Sequence, residues 1–252
     1  MDGLTVSTVG QYDLIYNAFS FGIATFAAAT LFFWFGLARV SQEYRTAIVI
    51  TGLVTFIALY HYFRIFESWQ SAYEVSDGAV ELTGVAFNEA YRYVDWLLTV
   101  PLLLIELILV MRLSQSETVR RSVTLGGAAA LMILLGYPGE VSEGIGGSRL
   151  LWGVLSMIPF LYIVYSLFSG LSDAIARQPA NVRHLVSAAR SLTVVVWFFY
   201  PIVYFAPFVL PMDGGTAKAT IEVGYTLADI FAKAGFGLLI FTIAVRKSEA
   251  GH

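Results

Sequence analysis

An apolar stretch from Glu89 to Leu113, EAYRYVDWLLTVPLLLIELILVMRL, carries Arg92, Asp95 and Glu106 among side chains suited to hydrocarbon. As a helix turning about 100° per residue, it sets Arg92, Asp95, Thr99 and Glu106 in a stripe roughly 60° wide. Asp95 and Glu106 then stand roughly 16 Å apart along the axis, at about 1.5 Å per residue. An ionisable group at mid-bilayer depth costs on the order of 2.5–3.5 kcal/mol or more. Such a stripe needs a reason, and a route for protons across a membrane is one. A second pair lies in IEVGYTLADIFAKAGFGLLIFTIAV, where Asp229 and Lys233 fall one helical turn apart on one face. The residues leave two explanations open. One is a structural ion pair. The other is a desolvated, nucleophilic lysine holding an aldehyde as a Schiff base, with Asp95 and Asp229 as countercharges. Opposite charges 4 Å apart attract by about 4 kcal/mol at an effective dielectric near 20, enough to hold either arrangement together.

These groups need a membrane scaffold to position them. The chain has 252 residues, 58% hydrophobic and 13% charged, too apolar for a soluble domain of this size. Seven apolar segments, near 12–39, 45–72, 89–113, 120–138, 149–172, 182–208 and 218–246, can each cross a bilayer as a helix. The fold class is an all-α membrane protein, a seven-helix bundle in a single domain over 1–252. No internal repeat supports an inverted-repeat transporter. Between the second and third segments, YEVSDGAVELTGVAF sets Asp77-Gly78 between short alternating runs, the signature of a small extracellular β-hairpin.

Arg39, Arg45, Arg112, Arg120, Arg121, Arg177, Arg183, Arg190, Arg246 and Lys247 gather at one set of helix ends. The opposite loops are mainly acidic, so the positive-inside rule places the C-terminus in the cytoplasm and the N-terminus outside. Residues 1–13 hold Asp2 and Asp13 but no Lys or Arg, unlike the basic start of a cleavable signal peptide; the N-terminus is read as unprocessed. Cysteine is absent, which excludes disulfides and thiolate metal sites, and no metal site is expected. A net charge of −3 argues against a nucleic-acid partner.

RYVDWLLTVPLLLIEL in the third segment, WFFYPIVY in the sixth and DIFAK in the seventh resemble the microbial rhodopsins, seven-helix retinal photoreceptors. HYFRIFESW, FNEAYRYVDW and GYPGE are similar to the xanthorhodopsin and proteorhodopsin branch of bacterial proton pumps. The resemblance implies all-trans retinal bound as a Schiff base on Lys233. Asp95 is then the counterion and first proton acceptor, and Asp229 the second carboxylate. Arg92 orients that complex, Thr99 hydrogen-bonds to Asp95, and Glu106 is the cytoplasmic proton donor. Trp96 and Trp197 are implied to sandwich the polyene, with Tyr200 near Asp229 and Pro201 at a kink beside the ring. Met132 and Gly136 match pocket residues, and an apolar Leu103 implies green rather than blue absorption.

His61 lies at the depth of Asp95 when counted from Arg45. A histidine in a span is either a packing residue or a proton-handling group. The branch has one here that contacts the counterion, so His61 and Asp95 are expected to titrate as a coupled pair. Gly153 stands where haloarchaeal pumps carry a bulky tryptophan. It implies either close helix packing or a slot open to lipid, which xanthorhodopsins use for a carotenoid antenna near the position of Tyr204. The paired glutamates that release protons in haloarchaeal pumps have no clear match; Glu140, Glu143, Asp213 and Glu222 are nearby candidates. The function expected is a light-driven outward proton pump rather than an enzyme, in a bacterial inner membrane, with lipid around it and a homo-oligomer such as a pentamer as its assembly. The rivals are a sensory photoreceptor signalling through a transducer, and a seven-helix transporter or receptor without chromophore.

Overall fold

The computed structural model describes residues 5–142 and 147–251. Among these, seven helices are long and apolar enough to cross a membrane. They are α1 (Val9–Gly36), α2 (Gln42–Ala72), α3 (Ala90–Met111), α4 (Gln115–Glu140), α5 (Gly147–Ala176), α6 (Ala180–Val209) and α7 (Gly214–Ala250). Consecutive helices α1 to α5 pack on one another, and α7 closes the bundle against α1 and α6.

The polarity is inside out relative to a soluble protein. Phe35, Tyr165 and Val195 face outward, while Arg92, Asp95, Glu106, Asp229 and Lys233 are buried. In α3 and α7, 61% and 67% of the apolar window is enclosed, against 22% in α1. The two helices bearing the ionisable stripes are therefore the central ones, where hydrogen-bonding partners can offset the cost of burying charge. Interior prolines such as Pro101 and Pro201 are tolerated because neighbouring helices can satisfy the freed carbonyls.

Helix ends follow local chemistry. Thr8 caps α1 by accepting from the Gln11 amide at 3.2 Å, and Asp213 caps α7 by accepting from Thr216 at 2.9 Å. The fourth helix begins earlier than its apolar run suggests, because Ser114 caps it and Glu117 pairs with Arg121 one turn on. α3 ends at Arg112, whose φ of 57° is left-handed. The terminal carbonyls of α3 accept from Lys247 Nζ (2.9 Å to Val110) and Gln178 Nε2 (3.1 Å to Met111).

The expected hairpin is present. β1 (Tyr73–Ser76) pairs antiparallel with β2 (Ala79–Leu82), in the register Tyr73↔Leu82 to Ser76↔Ala79. Asp77 and Gly78 have φ of 51° and 79°. Two positive φ values are what a two-residue turn needs, and glycine and aspartate tolerate them best.

α7 departs from regular helix at Ile230–Gly235, which forms a π turn around Lys233; a second π turn spans Ser166–Gly170 in α5. Single π turns inside helices concentrate at functional positions.

Candidate functional site

Lys233 Nζ is surrounded by acid. It donates to Asp95 Oδ2 and lies 3.2 Å from Asp229 Oδ1. Asp229 is held by uncharged donors from three helices: Tyr62 of α2 at 2.9 Å, Trp96 of α3 at 2.9 Å and Tyr200 of α6 at 2.6 Å. Arg92 NH1 stands 3.7 Å from its Oδ2 and donates to the Tyr62 hydroxyl at 3.1 Å. So many donors fix Asp229 as an anion. Asp95, by contrast, has Lys233 as the partner of Oδ2 while Oδ1 has no hydrogen-bond partner. Of the two carboxylates, Asp95 has acceptor capacity to spare.

Glu106 is buried on the same face of α3. Its Oε2 accepts from Thr51 at 2.6 Å, and its Oε1 has no partner. Thr99 does not reach the Asp95 carboxylate. Its hydroxyl donates to the Asp95 main-chain oxygen at 2.8 Å, the bond a helical threonine makes to the preceding turn. His61 is buried and its Nδ1 is 2.9 Å from Ile57 O. Among the described residues no hydrogen bond joins it to Asp95.

Lys233 lies at one end of an apolar cavity enclosed between α3, α4, α5, α6 and α7. Trp96, Leu103, Met132, Gly136, Trp197, Tyr200 and Pro201 line it, and so do Gly153 and Tyr204, which the sequence had pointed to a carotenoid slot. Tyr93, Val100, Ser156, Met157, Phe160, Phe205 and Tyr225 also line it and were not foreseen. The residues fit retinal: an amine at one end, an apolar aromatic sleeve, and a carboxylate with an unpartnered oxygen behind the amine.

Gly153 forms no open slot. A Cβ built there would come within 2.7 Å of Tyr204 and 2.8 Å of Phe205, so these rings occupy the space a larger residue would take. Tyr204 is fixed by its hydroxyl, which donates to Arg149 O at 2.8 Å.

Three of the four release candidates can be placed. Glu140 forms a buried ion pair with Arg149 at 3.2 Å. Asp213 is an N-cap, and the hydrogen bond from Thr216 holds its carboxyl below the usual range. Glu222 is buried and paired with Arg92 at 2.7 Å; Glu143 lies outside the described residues. Sequence reasoning missed Tyr62, Thr51, Lys218 and Glu89. Lys218 and Glu222 were visible as a pair one turn apart.

Seven spans around a lysine-ended aromatic cavity, with two aspartates at the amine, define a retinal-type photoactive membrane protein. The chain belongs to the bacteriorhodopsin-like family of microbial rhodopsins: the family profile described as "Bacteriorhodopsin-like protein" matches residues 14–247. Green-light absorbing proteorhodopsin of Gamma-proteobacterium EBAC31A08 is 30% identical over 240 residues, covering 93% of this chain and 88% of that protein. The crystal structure of xanthorhodopsin, described as a light-driven ion pump with dual chromophore, is 50% identical with a TM-score of 0.91, covering 97% of this chain and 98% of that one. The crystal structure of thermophilic rhodopsin is 46% identical, also with a TM-score of 0.91, and covers 97% of both chains. The family uses retinal bound through a Schiff-base lysine, and Lys233 is the lysine at this cavity.

Proposed function

We propose that this protein is a light-driven outward proton pump. One observation carries the reading: carboxyl groups with spare oxygens lie on both sides of Lys233 along one face of α3. Asp95 touches the amine, and Glu106 lies roughly 16 Å further along the helix axis. Lys233 Nζ would hold retinal as a Schiff base, and the bound group would supply light absorption and isomerisation. Asp95 takes the proton, because its Oδ2 is already hydrogen-bonded to Nζ and its Oδ1 is free to accept. Asp229 stays charged throughout, held by Tyr62, Trp96 and Tyr200. Glu106, shielded from water and bonded to Thr51, returns a proton to Nζ and is refilled from the cytoplasmic side. Arg92 couples Asp229 to the extracellular half, and Trp96 and Trp197 confine the pigment.

The basic helix ends support this direction, with the Glu106 half toward the cytoplasm and the N-terminus outside. Illuminated cells producing the retinal-loaded protein should acidify their medium, and a protonophore should abolish the change. No acidification, or acidification that persists in Asp95→Asn, would remove the reading.

The proposal extends to an accessory carotenoid and to a homo-oligomer such as a pentamer in a bacterial inner membrane. The likeness to a dual-chromophore pump and the missing side chain at Gly153 support the antenna. Docking there requires the Tyr204 and Phe205 rings to turn aside. Excitation spectra with added hydroxylated or keto carotenoids should show sensitisation, lost in Gly153→Trp; no response with any of them rejects the antenna.

A further inference from the structure

Buried charge continues outward beyond Arg92. Arg92 NH2 donates to Glu222 Oε2 at 2.7 Å. Glu222 Oε1 lies 3.0 Å from Lys218 Nζ, at ion-pair distance. Lys218 Nζ in turn donates to Glu89 Oε1, just before α3, and sits 4.5 Å from the centre of the Phe87 ring. The Glu222 and Lys218 side chains are 0% and 4% exposed, whereas Glu89 keeps 12%. A ladder of alternating charge therefore runs from Asp229 to the edge of the solvent.

The ladder is one cation short. Among the described residues, the carboxyl groups of Asp95, Asp229, Glu222 and Glu89 are ion-paired with three cations, Lys233, Arg92 and Lys218. An unpaired buried charge is expensive, so one of these carboxyls holds a proton. Asp229 accepts from three uncharged donors, Glu222 lies between two cations, and Asp95 directly contacts the Lys233 amine. Glu89 has one cation, shares it with Glu222, and stands nearest water.

We infer that Glu89 is the proton-release residue of this chain, discharging to the extracellular side and recharged from Asp95 along the Arg92–Glu222–Lys218 ladder. The inference rests on the pump reading above. One proton leaves the Glu89 carboxyl for outside water, leaving a carboxylate against Lys218. The proton that Asp95 received then restores the acid, so one proton is exported per cycle. Burial pushes the Glu89 carboxyl up to about 7, against the pull of Lys218 and with Glu222 and Glu140 adding to the rise. The groups facing it are Lys218 and Glu222 of α7, Glu140 at the end of α4, and Tyr73 at the base of the hairpin.

Two measurements test this. Infrared spectra of the retinal-loaded protein, titrated in the dark, should show a carboxyl C=O band with a midpoint near 7 that is missing in Glu89→Gln. Lys218→Met, which removes the opposing cation, should raise that midpoint by about one unit or more. After a flash, a pH-indicator dye in the outer medium should report proton release before uptake in the wild type, and that early release should disappear in Glu89→Gln. A titrating band that survives Glu89→Gln, or early release of wild-type size and rate in that variant, overturns the inference. Failure of the pump reading is seen separately, as absence of light-driven acidification by the wild type; the dark titration does not depend on pumping.

Discussion

At Glu106 the side chain has one hydroxyl partner and one unpartnered oxygen, in a place without water-exposed surface. An acid so placed holds its proton until a base within the protein calls for it. Glu106→Gln keeps the shape and removes the proton, so the late decay of the photocycle should slow on the order of 100-fold. Flash spectroscopy checks this, and an unchanged decay removes Glu106 as donor. Glu89 has a second, light-independent signature. Its carboxyl sits at about 7 rather than the usual 4.5, so the folded chain binds its proton more tightly than the unfolded chain. Stability from this group is complete below about pH 4.5 and lost as the pH rises through 7. Between those limits wild type should lose stability relative to Glu89→Gln, by at most about 1.4 kcal/mol per pH unit. Melting curves of both proteins across pH measure the difference; parallel curves would show that Glu89 titrates normally. The α3 stripe was legible in the sequence because ionisable residues in an apolar run stand out and helical geometry dictates their shared face. Glu89 and Lys218 were not, because charges at helix ends are ordinary and their contact joins positions 129 apart. The Thr99–Asp95 contact was expected from spacing, but spacing does not say that the main-chain oxygen accepts.

Among the elements, the hairpin was legible down to its turn, since Asp77-Gly78 is one of few pairs that accept two positive φ values. The π turn at Ile230–Gly235 was hidden. Asp229 and Lys233 are four apart in either geometry, and nothing in residue type distinguishes the two. The α5–α6 contact at Gly153 was legible as to residue but not as to shape, because sequence does not reveal how the Tyr204 and Phe205 rings turn. Their proximity carries an expectation of its own: Gly153→Trp must displace both rings, and overpacking of this kind costs about 1–3 kcal/mol. A lower midpoint in thermal unfolding of that variant is expected. A wild-type midpoint would mean that the rings yield freely and that the slot opens at little cost.

For the whole molecule, the seven spans were legible because the bilayer sets their length and composition. The basic helix ends predict topology: a protease added to sealed cells should spare a C-terminal tag and cut at the exposed Asp77-Gly78 turn of the hairpin. The reverse pattern would invert the direction of transport.

Asp229 also joins α2, α3 and α6 to α7 through bonds that involve only the polypeptide. Such a clasp makes the receptacle ready before the pigment arrives. Colour after bleaching and resupply should therefore return at a speed set by pigment concentration, without a slow step of chain rearrangement. The same clasp would let newly made chains wait in the membrane, already shaped, for a dye delivered later.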